Sequence, residues 1–407
     1  MYKKTIDTTL VLIVIMLVIF GMIMISSVSV YPSFKITSLM VAKGILLEPS
    51  NSFYLSKNII HVIIGITLLI IFSKTSYMFL EKYSKSILVG SLFTLTIVLF
   101  YGAEYNGAKW WLIIPWLPSI QPVEFVKIGM IIFFAYFMKK KKSLLVDLQD
   151  GFLPYFFIVG IIFFLLALQP DFGSILIIAP VVIALYFVWG GNIRYLAILW
   201  LVCVAWAASI YSIGKIGAWT ESKSKLNYIS TRIDNFFEDT KVLFSKKNTD
   251  GKDYQIKQGL IAIGSGGFFG LGFWKSIQKF WYLPEVQGDF IFSVIVEELG
   301  FMGTLFLLLA YLCIIYRGYT IARLVKDPFG KYFAFGISTL IFVQVFINIW
   351  VNLNVIPLTG VTLPLVSYGG SSLISLMIGI GILLNISRHM EYTPSSGYRS
   401  VSKRRIA

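Results

Sequence analysis

Runs of about twenty apolar residues, the length that spans a bilayer as a helix, recur along the whole chain between short polar stretches. They fall near residues 9–30, 58–73, 86–102, 120–138, 152–168, 173–190, 194–213, 290–316, 332–352 and 366–387. This pattern predicts an all-α, polytopic membrane protein with ten transmembrane helices. The first run, Thr9 to Ser26, follows Lys3 and Lys4 as the apolar core of a signal peptide would. No small-x-small cleavage site clearly follows it, and it reads as a retained first helix.

The polar interruptions are of two kinds. On the side that holds both termini, the short loops carry Lys74, Lys82 and Lys85, then Lys139 to Lys142, Arg194, Arg317, Arg323, Lys326 and Lys331, with Arg388 and a basic tail beyond. Basic residues in short loops mark the cytoplasmic side. The other side receives Tyr31–Lys57, Ala103–Ile120, a tight turn at Gln169–Phe172, a long segment before the eighth span and Leu353–Pro364. The long segment, about residues 214–289, is polar from Glu221 to Lys257. From Gln258 it turns apolar, with Gly259, Gly264, Gly266, Gly267, Gly270 and Gly272 interleaved with Ile, Leu and Phe. Such a stretch allows close backbone approach and is expected to re-enter or lie on the membrane. The economical division is one membrane domain over 1–390 and a basic cytoplasmic tail over 391–407.

Composition agrees: 57% of residues are hydrophobic and 14% charged. A net charge of +15 would suggest nucleic acid in a soluble protein, but here the basic residues cluster between spans, which makes them a topology signal and excludes that partner. The two cysteines, Cys203 and Cys313, lie inside apolar runs with no pairing or metal-ligand spacing.

Chemistry-bearing side chains gather on the outer side. Foremost is Trp281-Tyr-Leu-Pro-Glu285-Val-Gln-Gly-Asp289-Phe-Ile-Phe-Ser293, which runs into the span carrying Glu297 and Glu298. An ionisable group at the lip of a bilayer is costly unless it works, and Asp289 is the candidate base. Glu124 and Lys127 sit one turn apart and can pair, for packing or for a pocket. Asp171 in Gln169-Pro-Asp171 is either an ordinary cap or a ligand. Lys109-Trp110-Trp111 sets a cation beside two indoles, which suits an aromatic belt or a sugar ring with a phosphate nearby. Lys57-Asn58 and His61 are weaker signals, His61 reading first as a satisfied interfacial histidine. Finally, Pro357 to Pro364 and Ser367-Tyr368-Gly369-Gly370-Ser371-Ser372 impose non-helical backbone at membrane depth, tolerated only where protein buries it or it lines a cavity.

These elements outline a pocket open to the outer face. It suits an amphipathic substrate with its tail in lipid and a head of sugar and phosphate. A base at Asp289 would take a proton from a sugar hydroxyl while cations steady a departing pyrophosphate. On these residues alone, polymerisation of such a lipid and its transport both stay open.

Six motifs carry a resemblance to a known family: Gln121-Pro-Val-Glu124-Phe-Val-Lys127; Gln169-Pro-Asp171-Phe-Gly173; Tyr254-Gln255 with Ile261 to Gly267; Leu283-Pro-Glu285 with Asp289-Phe-Ile-Phe; Glu297-Glu298-Leu-Gly300; and Pro364 with Ser367 to Ser372. In this order across nearly the whole chain they resemble the SEDS family, the bacterial shape, elongation, division and sporulation proteins that include FtsW, RodA and SpoVE. The resemblance implies a ten-span fold with a long extracytoplasmic loop between the seventh and eighth spans. It implies an inverting peptidoglycan glycosyltransferase that polymerises lipid II at the outer face of the bacterial cytoplasmic membrane. Asp289 falls on the family's essential loop aspartate, the base for the acceptor's 4-hydroxyl, which attacks the anomeric carbon of the undecaprenyl-pyrophosphate-linked glycan. Lys57, Lys109, Trp111, Glu124, Lys127, Asp171, Glu285, Ser367, Tyr368, Ser371 and Ser372 are the expected substrate-binding residues. The cofactor stays unknown; a divalent cation such as Mg or Mn is admissible. The implied partners are a class B penicillin-binding protein, expected to dock its single transmembrane helix near Leu307 and Phe342, and other membrane proteins of the division or elongation machinery.

Four positions depart from the family pattern. Gln287-Gly288 replaces His-Thr before the aspartate, Trp110 stands where an arginine is expected, and Val123 replaces a serine. Gly381 to Arg388 and Ser26-Ser27-Val-Ser29 look more like the division type, and Phe292-Ser293 more like the elongation type, with the division type favoured. Two alternatives remain in play. A lipid II flippase would show binding groups near the bilayer midplane, and a non-catalytic division scaffold would not need Asp289.

Overall fold

The computed structural model describes residues 5–105, 108–113, 119–141, 147–198, 201 and 252–390. Most of the seventh span, the first part of the long loop and the basic tail lie outside them, as do the side chain of Lys109 and its surroundings.

Helices dominate. In chain order they are α1 (Thr8–Val28), α2 (Val30–Ala42), α3 (Phe53–Lys74), α4 (Tyr77–Lys82), α5 (Ser84–Tyr101), α6 (Pro122–Lys140), α7 (Leu153–Leu168), α8 (Phe172–Trp189), α9 (Lys252–Ser265), α10 (Ile291–Leu324), α11 (Pro328–Asn352) and α12 (Gly370–Ser387). Their starts follow local chemistry. Asp7, Asp171 and Asp327 each cap a helix by accepting a backbone N–H, and Pro122 and Pro328 take early positions where no N–H is needed. Eight described helices are long and apolar enough to span a membrane. α6 carries Glu124, Lys127, Lys139 and Lys140, yet it is 19 residues long and buried along almost its whole length, and it takes the place of the fourth expected span.

Three features refine the expected pattern. The loop after α1 is not wholly irregular, because α2 continues from it. The loop between α5 and α6 folds into an antiparallel hairpin of β1 (Ala103–Tyr105) and β2 (Ala108–Trp111), a small β element among the described helices. The eighth span runs on to Leu324, and at about 1.5 Å per residue its 34 residues exceed the bilayer core. The apolar pattern alone ends this span at 316, where Arg317 and Arg323 have the character of a loop; in the fold they extend the helix instead.

α6, α11 and α12 form the centre, while α3, α5 and α7 turn Ile, Leu and Phe side chains outward. The polar loops segregate to opposite ends. At one end Lys139 meets Glu81 and Asp327, and Asp7 meets Arg317 and Ser387. At the other lie the hairpin, the Gln169–Asp171 turn, residues 353–369 and the segment that ends in Asp289.

The glycine-rich segment after α9 lies against α10, the close backbone approach that its glycines allow. α10 breaks at Gly300, whose φ of 67° lies in the region glycine favours. The break frees backbone groups that residues 267–272 then satisfy: Leu271 and Gly272 donate to the carbonyls of Glu297 and Glu298, and Phe301 and Met302 donate to those of Gly267 and Phe268. A Cβ on Gly300 would collide with the Gly270 backbone, so two glycines make this splice possible.

Candidate active site

Asp289 ends the tight turn that begins at Glu285 and lies two residues before α10. Glu285 has a left-handed φ of 52°, and its carbonyl accepts the N–H of Gly288 at 3.0 Å. The turn is tied to α11: the side-chain amides of Asn348 and Asn352 both donate to the Asp289 carbonyl at 2.9 Å. Asn352 also accepts from the backbone and hydroxyl of Ser293, fixing the first turn of α10. On the opposite flank the N–H of Tyr368 donates to the Gln287 carbonyl at 2.8 Å, which joins the turn to the Ser367–Ser372 segment.

The backbone carbonyl of Asp289 is thus held twice, whereas its Oδ1 is buried with no hydrogen-bond partner among the described residues. Burial pushes its carboxyl up to about 7, and the nearby Glu285 charge adds to the rise. A carboxylate with that proton affinity is suited to take a proton from a hydroxyl at neutral pH.

Most of the predicted residues converge on this end, in different conditions. Glu124 and Lys127 form an ion pair at 2.8 Å, and Lys127 is buried to 1% exposure. Asp171 caps α8 through Ser174, and burial raises its carboxyl against that hydrogen bonding and the nearby Lys127 charge. Ser371 accepts the Gln121 N–H at 2.9 Å, pinning the start of α6 to the start of α12. Ser367 serves its own turn, accepting from Leu363. Tyr368 and Ser372 are half-buried, and the Tyr368 ring sits 5.0 Å from that of Tyr54 and 6.0 Å from His61. Lys57 is exposed over the Phe53 ring, and Glu285 is exposed on the turn. Trp111 is half-buried on β2.

Trp110, the departure from the expected arginine, plays a local structural part. Its indole N–H donates to the Gln169 carbonyl at 2.7 Å and holds the Gln169–Asp171 turn against the hairpin. His61 matters more than its sequence context suggests, since it packs against Gly370 beside Tyr368. Asn348 and Asn352 escape the sequence reading, although two asparagines four residues apart in an apolar span are a usable signal. Among the described residues no three His, Cys, Asp or Glu side chains gather as a metal cluster would require.

Comparison with known proteins identifies the family. The pattern of the FTSW_RODA_SPOVE family, described as cell cycle protein, matches residues 7–392. The chain belongs to the FtsW/RodA/SpoVE family. Within that family it is 34% identical over 393 residues to the stage V sporulation protein E of Bacillus subtilis (strain 168), covering 96% of this chain and 99% of that protein. It is 35% identical over 396 residues to the probable peptidoglycan glycosyltransferase FtsW of the same organism, covering 96% and 92%. Its fold is similar to a chain in a structure described as the structural coordination of polymerization and crosslinking by a peptidoglycan synthase complex. That match has a TM-score of 0.72 at 25% identity, covering 94% of this chain and 98% of the other. As a member of the FtsW/RodA/SpoVE family, the chain is a multi-pass membrane protein.

Proposed function

We propose that Asp289 is the general base with which this FtsW/RodA/SpoVE-family peptidoglycan glycosyltransferase polymerises lipid II. The observation that carries the reading is the pairing of a tethered backbone with a buried, unpartnered Oδ1 at neutral-range proton affinity. The acceptor's 4-hydroxyl gives its proton to Oδ1 as its oxygen attacks the anomeric carbon of the lipid-linked chain. The bond to the pyrophosphate breaks and the configuration inverts. Lys57, exposed at the start of α3, is placed to meet phosphate, whereas Lys127 is engaged with Glu124 and organises the wall. Tyr368, Ser372 and Trp111 offer hydroxyls and an indole face to the sugars.

The basic loops support a reading in which the opposite end of the bundle and both termini are cytoplasmic and the site faces outward. A cysteine at exposed position 281 should react with an impermeant reagent from outside, and one at position 141 should not. The expected partner is a class B penicillin-binding protein whose transmembrane helix lies on α10 and α11. Leu307 is buried and cannot report that contact, but Phe306 and Phe342 face outward and should crosslink.

The deciding experiment uses purified protein with its partner, the transpeptidase blocked, and labelled lipid II. General-base catalysis is worth about 10²–10⁴-fold, so Asp289→Asn should lose at least that much polymerisation while still binding substrate. Near-normal glycan synthesis would overturn the assignment and reopen the flippase and scaffold readings.

A further inference from the structure

We propose that Lys279 and Glu298 are positioning residues for polymerisation, their buried ion pair clamping the near end of the loop whose far end carries Asp289. The inference rests on Asp289 acting as the base.

Lys279 Nζ lies 2.7 Å from Glu298 Oε1, with side-chain exposures of 1% and 0%. The ammonium also donates to the Ser27 hydroxyl at 2.9 Å and to the Trp274 carbonyl at 2.8 Å, so all three of its protons are placed. It sits between the Trp274 and Phe280 rings, 5.5 and 5.3 Å from their centroids. The neighbouring Glu297 accepts the Ser276 hydroxyl and the N–H groups of Ile277 at 3.0 Å and Gln278 at 3.3 Å. Two adjacent carboxylates of α10 thereby grip the segment 274–279, and Ser27 brings in the outer end of α1.

Packing alone does not account for this arrangement. Replacing a buried ion pair with apolar residues of similar volume is often neutral or stabilising, so such a pair is a poor way to hold a protein together and a good way to impose one geometry. The geometry it imposes is that of a closed loop. The chain leaves α10 at the clamp and returns to it at Asp289, and between them Trp281 and Glu285 adopt left-handed φ values of 71° and 52°. Non-glycine residues hold such conformations only where their surroundings over-determine them. With the clamp released, those residues can relax, and the unpartnered Oδ1 of Asp289 loses its fixed place relative to the acceptor hydroxyl.

The test compares kcat and KM for lipid II in full-length protein with its partner, alongside thermal unfolding. In Lys279→Met/Glu298→Leu, which strands no charge, melting is expected at or above the wild-type temperature. Misplacing a reacting group by about an ångström costs on the order of 10²-fold, so kcat should fall by about that factor. KM should move by less than about twofold, because ground-state binding is untouched. Lys279→Arg should keep most of kcat. Ser27→Ala removes one acceptor from the Lys279 ammonium and one hydroxyl donor from the Glu298 carboxylate while leaving the ion pair in place, and a severalfold fall in its kcat is expected even if the double variant does not fold. Wild-type kcat in either a folded double variant or Ser27→Ala overturns the proposal, as does a loss confined to KM. Asp289→Asn is measured in parallel. If it is inactive while the double variant is fully active, only the clamp fails; if it polymerises normally, the base assignment itself has failed.

Discussion

The two ends of the bundle use charge in opposite ways. At the end with the basic loops, Lys139 bridges Glu81 and Asp327 with all three side chains 20–33% exposed, and Lys141 reaches an Asp150 that is 62% exposed. There water reaches most of the charges, the exception being Asp7, whose side chain is 1% exposed against an Arg317 that is 23% exposed, and Asp7 and Asp327 also cap helices. At the other end the pairs Glu124–Lys127 and Lys279–Glu298 are dry, and Asp289 and Asp171 are buried. Ion pairs at a wet boundary are worth little and are easily exchanged, whereas buried ones are costly to form and disastrous to break. Most of the buried charge therefore lies at the Asp289 end, together with the residues proposed to do the chemistry.

Breaking one partner of a dry pair should give the largest effect. Lys127→Met leaves Glu124 buried and uncompensated, a loss of about 3–5 kcal/mol, and should abolish polymerisation while lowering the melting temperature. Adding Glu124→Gln should recover the melting temperature but not the activity; recovery of both would reduce the pair to packing.

The next contrast is in pH. With its carboxyl at about 7, Asp289 must lose a proton to act. Polymerisation should therefore fall by about tenfold per pH unit below that value, as expected for a single essential base. The stability linkage has the opposite sign. A folded-state value raised above the ordinary 3.8 favours the folded protein fully at pH below 3.8, and that contribution is lost as pH rises through about 7. The difference in melting temperature between Asp289→Asn and wild type should accordingly widen in favour of the variant from pH 5 to pH 8. A pH-independent difference would contradict the buried, titrating carboxyl.

Smaller effects follow from backbone and surface. Gly300→Ala forces a side chain into a left-handed site against the Gly270 backbone, and such strain costs on the order of 1–3 kcal/mol, readable as a lower melting temperature. Lys139→Met, at the wet end, should cost less than about 1 kcal/mol and leave lipid II polymerisation unchanged. An activity loss there as large as that of Lys127→Met would erase the distinction between the two ends.

Much of this is legible in the amino-acid sequence. The lengths of the apolar runs determine the spans, because a helix must hydrogen-bond internally to cross a bilayer, and the basic loops determine which ends belong together. The Glu124–Lys127 pair is readable because residues three apart share a helix face, and Asp171 as a cap because it stands immediately before an apolar run. Asp289 stands out because its charge sits where a span begins. The sequence does not say that Asn348, Asn352 and Tyr368 hold the turn around Asp289, since those contacts join residues distant in the chain. Nor does it say that Lys279, which reads as an ordinary loop lysine, is buried against Glu298 and Ser27. The extension of α10 past Arg317 and its break at Gly300 are likewise decided by tertiary packing, the break by residues 267–272 lying against it. Local chemistry chooses the elements. Which polar group is dry, paired or left free to take a proton depends on neighbours supplied by other helices, and only the packed bundle provides them.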